Sequence, residues 1–246
     1  SGPLSLHGSA EFASDVPGEV HLTTSLSTPR TGYALLSLPV APSFELRFSW
    51  RVPSNANKWG MGFSFFDAAE HSLMAASGAY NGGFWDWHSA NAAPSNVPHV
   101  SWGVDWQHNR VTLRYRKVGT GAATDVVRHG VSVYGTRNYL RGRWLAVRAE
   151  YRPGLLSVEL DGGAAVSFET PDLATSSTWR IAIGGQANGA GASELVQLAN
   201  VSLHGTAYSP ASPTPPSPPP VTPLTMGSSS DEIELLPSGP LSLHGV

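Results

Sequence analysis

The feature that most constrains the fold is a one-by-one alternation of apolar and polar residues. In FELRFSWRV (44–52), the apolar residues Phe44, Leu46, Phe48, Trp50 and Val52 are separated by single charged or small polar residues. Successive side chains of a strand point to opposite faces, so this pattern predicts a strand with one buried face. Four further segments alternate in the same way and place these residues inward: Val111, Leu113, Tyr115, Leu145, Val147, Ala149, Tyr151, Leu156, Val158, Leu160, Trp179, Ile181 and Ile183.

Turn signals separate the alternating segments. They are Gly119-Thr120-Gly121, Pro153-Gly154 and Asp161-Gly162-Gly163. No segment keeps a helical period over the roughly ten residues that a helix needs. Many half-buried strands in about 200 residues predict an all-β fold in which two antiparallel sheets stack as a sandwich.

Composition narrows the class of partner. Only 13% of the residues are charged, the formal net charge is -3, and there is no cysteine. Without a basic excess, nucleic acid is not an expected partner. No apolar run is long enough to span a bilayer, so membrane insertion is not expected either. A surface covered by Ser, Thr, Asn, Gly and Pro instead of charge suits a secreted or cell-surface protein.

The organisation changes near residue 208. Eight of the fifteen residues in SPASPTPPSPPPVTP (209–223) are proline, which favours an extended, semi-rigid spacer. We therefore predict a sandwich domain over 1–208, a Pro-rich linker over 209–227 and an acidic tail over 228–246. The tail contains Asp231, Glu232 and Glu234, which account for the net negative charge.

The octapeptide SGPLSLHG occurs twice, at 1–8 and at 238–245. One explanation is an artificial duplication of the end segment. The other is a parent protein of tandem domains, in which the tail runs into the first strand of the next copy. We prefer the second, because Pro-rich spacers between repeated domains are common in matrix and adhesive proteins.

Several segments resemble, in order, the L-type lectin (concanavalin A-like) superfamily, and together they cover nearly all of 1–208. They are GMGFSFF (60–66), GAYNGGF (78–84), VSWGVDWQHN (100–109), GRWLAVRAEY (142–151), LLSVELDG (155–162) and IAIGGQANGAGASELVQLANVSLHG (181–205). The resemblance implies a jelly-roll sandwich with loops that bind carbohydrate.

The chain departs from this family at two positions. Met61 occupies the place of the sugar-binding Asp, and Gly103 occupies the place of a calcium-binding Glu. Asp105 and Asn109 match metal ligands of the family, but one carboxylate and one amide are too few for Ca²⁺, which takes six to eight oxygen ligands. We therefore expect no cofactor, with Ca²⁺ at Asp105 and Asn109 as the alternative.

The first candidate ligand-binding segment is 81–88. Its polar residues Asn81, Asp86 and His88 could bind sugar hydroxyls, next to the rings of Trp85 and Trp87. Alternate residues here must also face the core, and core packing is the stronger interpretation for either tryptophan.

The other candidates come from two loops that match binding loops of the family. Asp105, Trp106 and Asn109 could contact a ligand, or Asp105 and Asn109 could only stabilise a turn. Gln186 and Asn188 lie in a Gly-rich loop that could equally be a simple connection.

Asn200-Val201-Ser202 is an acceptor motif for N-glycosylation. Alternation places Val201 and Leu203 inward, which leaves Asn200 and Ser202 on the outer face. Use of this motif is therefore compatible with the predicted strand.

No catalytic constellation is present. The sequence lacks an HExxH motif and a Gly-x-Ser-x-Gly elbow. A glycosidase of this fold requires two carboxylates, but Asp105 has no second carboxylate on its strand. We predict a non-enzymatic, extracellular carbohydrate-binding or adhesion module, one of a tandem array, with a glycan or a cell-surface or matrix protein as partner. The alternatives are a structural or protein-binding sandwich and, least favoured, a polysaccharide-cleaving enzyme.

Overall fold

A computed structural model describes residues 4–23, 30–36, 40–52, 60–68, 99–105, 110–115, 124–130, 142–170, 178–187 and 195–207. Fourteen β-strands account for most of these residues. In this part of the chain, no helix is long and apolar enough to cross a membrane. The predicted linker and tail, 209–246, lie outside the described residues, so the predicted domain boundaries remain predictions.

The strands form two antiparallel sheets. In spatial order, the first sheet contains β1 (Leu4–Gly8), β4 (Arg30–Leu36), β13 (Trp179–Ala187), β6 (Gly60–Asp67), β7 (His99–Asp105), β8 (Arg110–Tyr115) and β9 (Thr124–Gly130). The second contains β12 (Val166–Glu169), β11 (Leu155–Leu160), β10 (Leu145–Arg152), β5 (Val40–Arg51), β14 (Gln197–Ala207), β3 (Val20–His21) and β2 (Glu11–Phe12). One pairing, Trp179 opposite Val40, joins the two sheets.

The core lies between the sheets, and it includes every residue that alternation placed inward except Val111 and Tyr115, whose side chains lie outside the described parts of the chain. Phe65 of β6 is fully buried and contacts Phe44 of β5 and Tyr151 of β10, with ring centroids 5.2 and 4.5 Å apart. Phe63 faces Phe48 at 6.1 Å. These aromatic contacts join β6 to the second sheet, and they confirm the predicted two-sheet sandwich.

Strand β6 differs from the alternating strands because both of its faces are buried. Its inward residues include Phe63 and Phe65, but Ser64 and Phe66 on the opposite face are also at most 3% exposed. The Ser64 hydroxyl forms a hydrogen bond of 2.8 Å with the hydroxyl of Ser101 on β7, which satisfies a polar pair in this buried layer. Burial on both faces explains why GMGFSFF is almost continuously apolar.

The predicted turns at 153–154 and 161–163 are confirmed. Arg152 pairs with Leu155, so Pro153 and Gly154 form a two-residue connection between β10 and β11. Gly154 has φ +88°, the left-handed value that the second position of a type II turn requires. Asp161 and Gly162 also have positive φ, at 56° and 72°. The turn signal at 119–121 lies outside the described residues.

The chain enters and leaves the described sandwich at the same end. Leu4 pairs with Leu36 at the end of β4, and Ala207 pairs with Val40 at the start of β5. Val40 is also opposite Trp179, which pairs with Asp67. We refer to this end of the sandwich, marked by Trp179 and Asp67, as the tether end.

The outer face of the second sheet contains an ion-pair network centred on Glu45. Arg47 Nε donates to Glu45 Oε1 at 2.5 Å, and Arg148 Nη2 lies 2.6 Å from Oε2. Burial alone would raise the pKa of Glu45, but hydrogen bonds and charge attraction from the two arginines outweigh it and hold the pKa below its usual value of 4.5.

Replacement of Glu45 by Gln should destabilise the protein by about 1 kcal/mol at about pH 7, because both arginines stay largely solvated and each pair is correspondingly weak. A carboxyl with a depressed folded pKa stabilises the fold above its unfolded pKa. That contribution disappears as the pH falls from 4.5 through the lower folded value. Denaturant unfolding of wild type and Glu45→Gln at about pH 7 and about pH 3 measures this contribution to the free energy of unfolding. The exposed Glu169→Gln is the control, and a deficit that persists unchanged in acid would contradict the assignment.

Candidate functional site

Four strands of the first sheet bring a row of polar and glycine residues together at the end opposite the tether end. Gln186 of β13 is opposite Gly60 of β6, Gly60 is opposite Asp105 of β7, and Asp105 is opposite Arg110 of β8. We call this row the Asp105 edge. Neighbouring strands are about 4.8 Å apart, so the backbones of Asp105 and Gln186 lie about 10 Å apart, with only a glycine between them.

Several connecting segments join the sheet at the Asp105 edge. Strands β7 and β13 end there, and β6 and β8 begin there. The segments 53–59, 106–109 and 188–194 therefore attach to the sheet at this edge. Segment 69–98, in contrast, leaves after Ala68 and returns at His99, at the tether end.

The structure brings together two of the predicted ligand-binding residues, Asp105 and Gln186. Trp106 and Asn109 belong to 106–109 and Asn188 begins 188–194, so all three lie outside the described residues but follow or precede strand ends at the Asp105 edge. The predicted binding residues Asn81, Asp86 and His88, within segment 69–98, also lie outside the described residues. Asn200 is elsewhere, on β14 of the second sheet.

Two described residues differ from the calcium and sugar sites that the family resemblance implies. Gly103, at the place of a carboxylate ligand, is opposite Gly62 and Thr112 and offers no side chain. Met61, at the place of the sugar-binding Asp, is fully buried in the core. Among the described parts of the chain, no group of three or more His, Cys, Asp or Glu could hold a metal ion. Ca²⁺ at Asp105 and Asn109 stays a prediction, because Asn109 lies outside the described residues.

Sequence reasoning missed two neighbours of the predicted residues. Gly60 separates Asp105 from Gln186, and Arg110 is the direct partner of Asp105 in the pairing of β7 with β8. Which residues lie opposite Asp105 and Gln186 depends on the pairing register of the strands, and hydrophobic alternation does not predict that register.

A stacked aromatic pair flanks this part of the sheet. The rings of His7 and Tyr33 lie parallel, with centroids 4.7 Å apart, and Tyr33 is opposite Gly184, two residues before Gln186. Burial raises the pKa of Tyr33 to about 12 and lowers that of His7. Both rings are therefore predominantly uncharged at neutral pH.

Comparison with known proteins identifies the fold. No family model and no curated protein matches the sequence. Among solved structures, the chain is similar to arcelin-5, a lectin-like defense protein from Phaseolus vulgaris, with 15% identity, a TM-score of 0.59, and coverage of 82% of this chain and 92% of that one. It is also similar to the Lotus tetragonolobus seed lectin, with 14% identity, a TM-score of 0.59, and coverage of 85% and 96%.

A third similar structure is the exoplasmic/lumenal domain of VIP36, solved in a form bound to Ca²⁺ and Man3GlcNAc. It has 13% identity, a TM-score of 0.54, and coverage of 86% of each chain. These identities are low, and the common property they establish is the fold. The chain has an L-type lectin-like fold, which confirms the resemblance drawn from its sequence motifs.

Proposed function

We propose that this domain is a carbohydrate-binding module that binds glycans at the Asp105 edge. The observation that carries the proposal is the register that sets Gln186, Gly60 and Asp105 side by side. A carboxylate and an amide can accept and donate hydrogen bonds to sugar hydroxyls, and the glycine leaves room for a sugar ring between them. The similarity to lectin folds supports this assignment, and VIP36 is bound to an oligosaccharide in its solved form.

We include the remaining predicted ligand contacts in the same proposed site. Trp106, Asn109 and Asn188 are adjacent in sequence to strand ends at the Asp105 edge. Segment 69–98, which contains Asn81, Asp86 and His88, has thirty residues. Because an extended chain spans about 3.3 Å per residue, this segment is long enough to return along β6 to the edge. Binding is expected without a cofactor, with Ca²⁺ at Asp105 and Asn109 as the alternative.

The module acts in this proposal as one unit of an extracellular, non-enzymatic adhesion array. The repeated octapeptide and the Pro-rich spacer support tandem copies, which would raise avidity for a multivalent glycan surface. A second candidate is a protein-binding sandwich with a cell-surface or matrix protein as partner. The buried Met61 and the side-chain-free Gly103 favour it, because both remove polar groups that the sugar-binding family uses.

Asp105→Asn should weaken glycan binding at least tenfold. A hydrogen bond to a charged group contributes about 1.5–3 kcal/mol, and 1.4 kcal/mol corresponds to a factor of ten in affinity. The full chain is applied to a glycan array with Ca²⁺ and with a chelator, and affinity for the best ligand is then measured for both proteins.

Glu169→Gln is the matched control, because it removes one exposed carboxylate from β12 of the second sheet. Equal binding by wild type and Asp105→Asn would place the site elsewhere. Absence of glycan binding in both conditions would favour the protein-binding candidate. Binding only with Ca²⁺ would support the alternative in which Asp105 and Asn109 bind the metal.

A further inference from the structure

The acceptor motif Asn200-Val201-Ser202 lies at a β-bulge in β14. Ala199 is opposite Ser49 and Ser202 is opposite Arg47, so β14 uses one more residue than β5 across this interval. The extra residue changes the phase of alternation, which is why Leu198 and Val201 are both buried although they are three positions apart.

Asn200 is the residue that the bulge turns outward. Its φ is 53°, in the left-handed region that Asn adopts more readily than most residues, and its side chain is exposed. The side-chain amide Nδ2 has one hydrogen bond to Ser49 Oγ, at a long 3.4 Å. The amide nitrogen is therefore accessible from solvent and weakly held.

Asn200 is one of the residues that line an open groove of about 550 Å³ on the outer face of the second sheet. Its lining includes Arg47, Arg148, Glu159, Asn200, Ser202 and His204. The volume falls in the range of about 300–1,000 Å³ that ligand sites occupy. Arginine donors and a carboxylate acceptor around it match the hydroxyl and amide groups of a sugar. The groove therefore has room and hydrogen-bonding partners for a sugar attached at Asn200.

We infer that Asn200 carries an N-linked glycan, and that the groove accommodates the sugar attached to it. The inference rests on the secretory route of the proposed function. In the transfer, Asn200 Nδ2 forms a bond to the anomeric carbon of an oligosaccharide on a polyprenyl diphosphate. The bond from that carbon to the diphosphate oxygen breaks, the amide loses one proton, and the polyprenyl diphosphate leaves. The modification occupies the second sheet and leaves the Asp105 edge free.

Asn200 belongs to the sole Asn-x-Ser/Thr motif in the 246 residues, so one experiment isolates it. The full chain is secreted from a eukaryotic host and its intact mass is measured before and after peptide-N-glycosidase. We expect a mass excess of one glycan that the enzyme removes while converting Asn200 to Asp. Ser202→Thr should retain the glycan, and Ser202→Ala should lose it while keeping Asn200.

Asn200→Gly should also lose the glycan and still fold, because glycine adopts positive φ freely and preserves the bulge. A secreted wild-type protein with unmodified Asn200 would overturn the inference and leave Asn200 with a purely conformational role. Mass is read independently of ligand binding, so failure of the glycan array does not affect this result. An intact array signal from Ser202→Ala would conversely leave the proposed function standing.

Discussion

Phe65→Ala is expected to lower the free energy of unfolding by about 4 kcal/mol, the range measured for complete removal of a buried aromatic ring. Phe65 is fully buried, and its ring contacts Phe44, Tyr151 and Trp179 at centroid distances of 5.2, 4.5 and 5.2 Å. Truncation therefore leaves a cavity between the two sheets that is lined by these three rings.

Denaturant unfolding followed by tryptophan fluorescence measures this loss as a shift of the midpoint at constant slope. Phe65→Leu preserves most of the volume and should cost about 1.5 kcal/mol. Phe12→Ala removes the same side chain from a position that is 46% exposed, and should change stability by less than about 0.5 kcal/mol. Equal losses at Phe65 and Phe12 would contradict the packing described for the core.

Gly62→Ala is expected to cost about 3 kcal/mol although it adds a single methyl group. A Cβ at this position would lie 2.1 Å from the carbonyl oxygen of Trp102 and 2.7 Å from Cα of Gly103. Both atoms belong to the backbone of β7, so no side-chain rotation relieves the collision, and the β6–β7 pairing must separate. Overpacking of this kind costs about 1–3 kcal/mol, and the rigid neighbours favour the upper value.

The effect of Gly62→Ala should extend to ligand binding, since the same strand pair positions Gly60 beside Asp105. Gly154→Ala is the control. A Cβ added at Gly154 would have no atom within 4 Å, but the residue has a φ of +88°, so this variant tests backbone strain without a collision and should cost about 1 kcal/mol. If Gly62→Ala is as stable as wild type by thermal and denaturant unfolding, β6 and β7 are not as close as the structure has them.

Most of the described fold follows from hydrophobic alternation. The inward residues of β10 and β11 were all predicted, and so were those of β5 from Phe44 onward and Trp179, Ile181 and Ile183 of β13, because the sequence has a clear period of two over these residues. Alternation could not predict that β6 is buried on both faces, since a continuous apolar run is compatible with a strand or a short helix. Nor could it predict the bulge at Asn200, because one extra residue changes the phase without any charge or proline to mark it.

The candidate site was only partly accessible from the sequence. Asp105 and Gln186 were selected from family resemblance, and they are 81 positions apart in the chain. Their proximity depends on strand order, with β6 between β7 and β13, and strand order is set by long-range packing and not by local pattern. For the same reason, Arg110 was not predicted as the residue opposite Asp105 on the neighbouring strand.

The position of the two tethers determines how such domains could be presented. Leu4 and Ala207 lie at one pole of the sandwich, and Asp105 and Gln186 lie at the other. If copies of this domain follow one another in a parent protein, as we propose, each spacer would attach at the pole that contains Leu4 and Ala207. The pole that contains Asp105 and Gln186 would then face away from the spacers. A large glycan surface could then approach every copy without meeting a spacer.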